Sequence, residues 1–220
     1  MDTLAARQQM VDQQIRTWEV LDPRVLDVFA RVPREAFVPP EYRELAFADT
    51  PIPIGLGQTM LAPKIQGRIL QALSVAATDS VLEVGSGTGY LAACLGLLAA
   101  AAQSIDIHPQ FTAAARANLG VVNDAAANAR VTFATRDAFA TPPLGEYDAI
   151  AVTGSLPVYD ARFERSLRVG GRLFAIVGEA PVMDAILVRR VDNAEWTRES
   201  LFETVVEPLI NATAAQRFVF

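Results

Sequence analysis

Apolar positions near the start of the chain recur at helical spacing. Met10, Ile15, Val20 and Leu21 form one stripe, and Val25, Val28 and Phe29 form a second behind the start signal Asp22-Pro23. The pattern predicts helix from Asp2 to about Phe37, ended by Pro33, Pro39 and Pro40. Residues 41 to 63 hold further breakers in Thr50-Pro51-Ile52-Pro53-Ile54-Gly55-Leu56-Gly57, which excludes a long helix and predicts an irregular extended segment. A helix from Pro63 to about Ala76 follows.

After residue 76 the period changes. Val81-Leu82-Glu83-Val84 is a short apolar run, followed by a glycine turn and a helix from Tyr90 to Ala101. Ser104 to Ile107 reads as a second strand, with a helix from Pro109 to about Leu119 behind it. Val131 to Ala134, Tyr147 to Val152, and Arg172 to Val177 after the turn Gly170-Gly171 complete five strands. Such alternation predicts an α/β fold, a Rossmann-like, mostly parallel sheet with helices on both faces, behind an N-terminal helical extension. Two more β-like runs, Ala185 to Val191 and Ser200 to Val206, are expected at the sheet edge. No repeat or low-complexity linker divides the chain, so residues 1–220 read as one domain, with 1–76 as the extension and 77–220 as the core.

Composition changes this picture little. A chain of 220 residues, 51% of them apolar, supports one sizeable core. Its most apolar stretch, Leu91 to Ala102, is Ala-rich and shorter than the roughly 18 residues of a membrane span, so no membrane association is expected. Met1 to Met10 lack the basic start and apolar block of a signal peptide, and the single cysteine, Cys94, allows no internal disulfide; a reducing, cytoplasmic setting is expected. The net charge of −6 weighs against a nucleic-acid partner, and one Cys with one His offers no Cys/His metal set.

The chemistry concentrates at Glu83-Val84-Gly85-Ser86-Gly87-Thr88-Gly89, where a strand hands over to a helix. Glycines there let the chain turn tightly and let a ligand approach the main chain. Asp106 lies 21 residues after Gly85, the placement of an acid that binds ribose hydroxyls, although it could also cap the following helix. The dinucleotide fingerprint is Gly-x-Gly-x-x-Gly, whereas this turn runs Gly85-x-Gly87-x-Gly89 with an acid two places ahead, and no Gly-Lys-Ser/Thr of a P-loop follows.

That acidic-x-Gly-x-Gly-x-Gly form resembles the first motif of class I methyltransferases, as do Arg136-Asp137-Ala138 after the third strand and Tyr147 to Val152. Met10-Val11-Asp12-Gln13-Gln14-Ile15, Val32-Pro33-Arg34-Glu35-Ala36-Phe37-Val38-Pro39 and Pro53-Ile54-Gly55-Leu56-Gly57-Gln58-Thr59 narrow this further. In that order they resemble the protein-L-isoaspartate O-methyltransferase family, from about residue 10 to 210. The resemblance implies S-adenosylmethionine as cofactor and the α-carboxyl of isoaspartyl residues in damaged proteins or peptides as acceptor. It implies that Glu83, Gly85, Ser86, Gly87, Thr88 and Gly89 shape the methionine site. Asp106 and Ile107 would meet the ribose side, Asp137 and Ala138 the adenine, and Thr59 and Leu61 would lie over the reacting methyl.

In the family, Gly-Gln-Thr continues Ile-Ser-x-Pro, with the serine beside the transferred methyl. Here Gly57-Gln58-Thr59-Met60-Leu61-Ala62-Pro63 puts Leu61 in its place, the following Lys64-Ile65-Gln66 also departs, and Thr153-Gly154-Ser155-Leu156-Pro157 replaces a small Ala-rich loop. Leucine offers no hydrogen bond. Methyl transfer to another protein or small-molecule acceptor, and a silent S-adenosylmethionine-binding module, therefore stand as alternatives. Among the remaining residues, His108 belongs to the cofactor loop, Cys94 to the core, and Trp18 and Trp196 to packing, with Trp18 a candidate for the cleft rim. Lys64 and Arg68, one helical turn apart, read as a solvated face before they read as an anion site.

Overall fold

A computed structural model describes residues 3–140 and 145–214. Helix α1, Thr3–Met10, runs on through a π-turn and a 3-10 turn to Trp18. Glu19 then turns left-handed at φ 61°, which throws Leu21 off the expected stripe and leaves it 67% exposed. Helix α2, Pro23–Arg31, starts as its sequence demands: Asp22 accepts a hydrogen bond from the Arg24 N–H at 2.9 Å and Pro23 fills the first turn. Val32, held extended before Pro33, ends it.

The segment expected to be irregular contains a hairpin, β1 (Ile52–Gly55) and β2 (Gln58–Met60). Gly55, Leu56 and Gly57 all take positive φ, the geometry a tight hairpin needs, and the two glycines make it cheap. Helix α3, Pro63–Leu73, stops three residues short of expectation because Ser74 turns left-handed and returns its N–H to the Leu70 carbonyl.

Seven strands make the main sheet: β3 (Ser80–Val84), β4 (Ala101–Asp106), β5 (Val131–Thr135), β6 (Tyr147–Leu156), β7 (Leu167–Glu179), β8 (Val182–Asp192) and β9 (Glu195–Thr204). Their order is β5-β4-β3-β6-β7-β8-β9; the first five are parallel, and β8 and β9 add antiparallel at the edge. Helix α4, Tyr90–Leu98, ends before the Ala101 expected of it. The alanine run carries no stop signal, and sheet pairing decides instead: Asp79 O takes the N–H groups of Ala100 and Ala101, and Ala101 pairs Ser80. Ile107 consequently falls just beyond β4. Strand β6 extends through Thr153-Gly154-Ser155-Leu156, and β7 runs through Gly170-Gly171, with irregular pairing at both places. Helix α5, Pro109–Leu119, matches its pattern, while the short helices α6 (Ala125–Asn128) and α7 (Ala161–Arg165) carry too few turns to show one.

The strand alternation sorts side chains into two cores. Val81, Ala149, Ala151 and Phe174 face a large cluster that includes Ile15, Phe29, Phe37, Ile69 and Cys94. Leu82, Ile150, Leu173 and Ala175 face a smaller one with Phe163 of α7. The N-terminal helices thus share the core of the sheet's heavier face. No helix among the described residues is long and apolar enough to cross a membrane.

Candidate active site

Between β3 and β6 the chain order reverses, and beyond the carboxyl ends of the strands there opens a cleft of about 910 Å³. Crevices at such switch points are where open α/β sheets bind ligands. The sheet supplies the floor, the β1–β2 hairpin and the start of α3 one wall, and residues 206–210 a rim.

The floor is built by hydrogen bonds inside the turn. Gly85 at φ 102° returns its N–H to Ile105 O at 2.8 Å, and a Cβ on it would fall 2.3 Å from Thr153 Oγ1. That hydroxyl donates to the Val84 and Gly85 carbonyls at 2.9 and 3.0 Å. Asp106 accepts the N–H groups of Gly87 and His108 at 3.1 and 2.9 Å, tying the turn to the next strand. Below, Ser104 Oγ donates to Glu83 Oε2 at 2.5 Å and lies 2.7 Å from Ser86 Oγ. Burial pushes the Glu83 carboxyl up to about 8, opposed by the Ser104 bond. Asp137 accepts from the Phe139 N–H and from Asn211 Nδ2, each at 2.8 Å.

The wall is held from behind by Arg34, which is fully buried. Its Nε donates to Ala46 O and its Nη2 to Leu61 O, both at 2.8 Å; Nη1 donates to Gln66 Oε1. The guanidinium carbon lies 5.0 Å from the centroid of the Tyr90 ring. Burial lowers the Arg34 pKa to about 10, so the group stays charged at neutral pH. Across the cleft, Thr59 Oγ1 donates to Glu207 Oε2 at 2.7 Å. Leu209 packs against Gly154 and meets Ser155 O through its N–H at 3.0 Å.

Thr59, Leu61, Glu83, Gly85, Ser86, Gly87, Thr88, Asp106, Ile107, Asp137 and Ala138 all line this cleft. Gly89, grouped with them by motif, does not; its φ is 87° and a Cβ there would meet Ala115 of α5 at 2.8 Å, so helix packing is what requires glycine. Trp18 stays off the rim, edge-on to Phe202. Lys64 and Arg68 belong neither to the cleft nor to a solvated face: each pairs with a carboxylate, Asp49 and Glu19, and lies over an aromatic ring. His108 lines the cleft beside Phe111. Sequence reasoning did not foresee Gln66, Tyr90, Phe139, Glu207 and Leu209 as lining residues.

Residues 5–214 match the family described as Protein-L-isoaspartate(D-aspartate) O-methyltransferase (PCMT). The chain belongs to that family. A protein-L-isoaspartate O-methyltransferase of Rhodopseudomonas palustris is 35% identical over 209 residues, covering 94% of both chains. That of Koribacter versatilis is 38% identical over 93% of this chain and 90% of its own. A Plasmodium falciparum protein-L-isoaspartate O-methyltransferase structure, solved with S-adenosyl-L-homocysteine, superposes with a TM-score of 0.80 over 92% of this chain and 97% of its own, at 17% identity. The protein is a methyltransferase that uses S-adenosylmethionine. Its cleft suits that donor, which carries a net positive charge. Asp106, Asp137 and Glu207 line it against one arginine, Arg136, and the Gly85 turn leaves no room for a Cβ where the main chain faces the cleft.

Proposed function

We propose that this methyltransferase esterifies the α-carboxyl of isoaspartyl residues in proteins or peptides. The reading is carried by one observation: Thr59 and Leu61 share a single cleft with the Gly85–Thr88 turn, Asp106 and Asp137, in a chain matched to the family from residue 5 to 214. S-adenosylmethionine supplies a methyl group already activated on a sulfonium. In this reading Gly85, Ser86, Gly87 and Thr88 present main chain to its methionine portion, and Glu83, held below by Ser104, orders the turn. Asp106 keeps lone pairs for ribose hydroxyls beyond those given to Gly87 and His108. Ile107 borders the ribose side beside Asp106; Asp137 and Ala138 border the adenine edge, and Gly89 seats α4 on α5. A carboxylate nucleophile arrives without a proton, so the wall needs only to align it and exclude water. Buried Leu61 excludes water and orients nothing.

A second reading, a different acceptor, is favoured by Glu207, whose carboxylate at Thr59 suits an N–H or O–H nucleophile better than an anion. Calorimetric titration with S-adenosylhomocysteine, then methyl transfer to an isoaspartyl peptide and to its aspartyl twin, separates the two. Turnover of the isoaspartyl peptide alone supports the first reading. Binding without turnover passes the site to the second.

A further inference from the structure

Gln66 lines the cleft with a side-chain donor that has no partner among the described residues. The residue sits on α3, is 4% exposed, and lines the cleft beside Leu61. Its Oε1 accepts from Arg34 Nη1. A guanidinium only donates, so that bond fixes which end of the amide is oxygen, and Nε2 has to turn away from Arg34. No described residue accepts from Nε2, yet it is not sealed off from solvent as the Tyr90 hydroxyl is. The open space that the Gln66 side chain borders is the cleft. Arg34 adds a second sign: it is fully buried, and among the described residues it pairs with carbonyls, an amide and a ring but with no carboxylate. An uncompensated buried cation stands behind a polarised N–H donor, which is the arrangement that favours an anion in front of it.

We infer that Gln66 Nε2 is the cleft's hydrogen-bond donor to a carboxylate. Two carboxylates reach such a site: that of the acceptor, which rests on the isoaspartyl reading above, and that of the cofactor's methionine portion, which does not. In the first case Gln66 supplies the polar contact that Leu61 lacks.

The test is Gln66→Glu, which keeps an oxygen for Arg34 and gives it a counterion, but replaces the donor with an acceptor. Gln66→Met removes the donor without adding charge. The thermal midpoint of Gln66→Glu should equal or exceed that of the wild type, so a loss of binding is not a loss of fold. Three numbers are read on each protein: affinity for S-adenosylhomocysteine, affinity for methylthioadenosine, which has no carboxylate, and KM for an isoaspartyl peptide. A rise in KM of about tenfold or more, with both affinities unchanged, assigns the acceptor's carboxylate. A similar weakening of S-adenosylhomocysteine alone assigns the cofactor's. Equal weakening of both nucleosides, or no change in any number, overturns the inference. If the wild type turns over no isoaspartyl peptide, weakened S-adenosylhomocysteine keeps Gln66 while the proposed function falls; unchanged affinity then removes both.

Discussion

The floor and the wall of the cleft are held by different kinds of contact. On the floor, turn residues bond to neighbours on adjacent strands: Glu83 to Ser104 to Ser86, and Asp106 to Gly87 and His108. The wall depends on side chains reaching between segments outside the parallel strands, Arg34 to Leu61 and Gln66, and Thr59 to Glu207 across 148 residues. Positive-φ glycines together with side chains fixed at strand ends dictate the floor, which leaves few residues to choose from. Side chains dictate the wall, and there the chemistry can change while the fold stays.

The sharpest way to break this contrast is at Arg34. Arg34→Leu strands two buried carbonyls and an amide, each costing about 1–3 kcal/mol when left unpaired, so a loss of about 3 kcal/mol or more is expected in a urea denaturation series, with methyl transfer lost alongside. A drop under about 1 kcal/mol would mean the wall has other support. Next is the floor. Gly85→Ala forces a side chain into positive φ and against Thr153, strain of about 1–3 kcal/mol, read as a tenfold to hundredfold loss of S-adenosylhomocysteine affinity. Leu61→Ser should raise kcat/KM for an isoaspartyl peptide about tenfold by returning a hydroxyl to the wall, with cofactor affinity unmoved.

The floor also has a pH signature. Glu83 keeps its proton in the folded state up to about pH 8, against a value of 4.5 for the free carboxyl. Over that window the folded state binds more protons than the unfolded one, so stability falls as pH rises, by at most ~1.4 kcal/mol per pH unit, and levels off above it. Glu83→Gln should flatten that slope in urea midpoints measured between pH 5 and 9. The smallest effect belongs to Glu207→Gln. It weakens one charge-assisted bond to Thr59, about 0.5–1 kcal/mol on a part-exposed pair, and should change acceptor KM by a few-fold without touching nucleoside affinity.

How much of this the sequence reveals follows from the same contrast. The turn, Asp106 and Asp137 are legible because each sits at a fixed offset from a strand end, and strand ends show in the hydrophobic period. Thr59 and Leu61 are legible through the Gly57-Gln58-Thr59 string. Glu207 carries no local signal: it becomes a cleft residue because Ser155 of β6 bridges to the neighbouring Pro208. Gln66 shows only as a polar residue at an inward helical position, and its role depends on a guanidinium 32 residues away. The early end of α4 was hidden because an alanine run favours helix and carries no stop signal, and register with β3 overrode it.

Arg34 holds position 61 through that residue's carbonyl and makes no use of its side chain. The loop's path is therefore set independently of the group it displays. That backbone bond survives a change of side chain at 61, which then acts only through what the buried Leu61 side chain packs against. This makes position 61 the place to vary first when the enzyme is to be given a new acceptor.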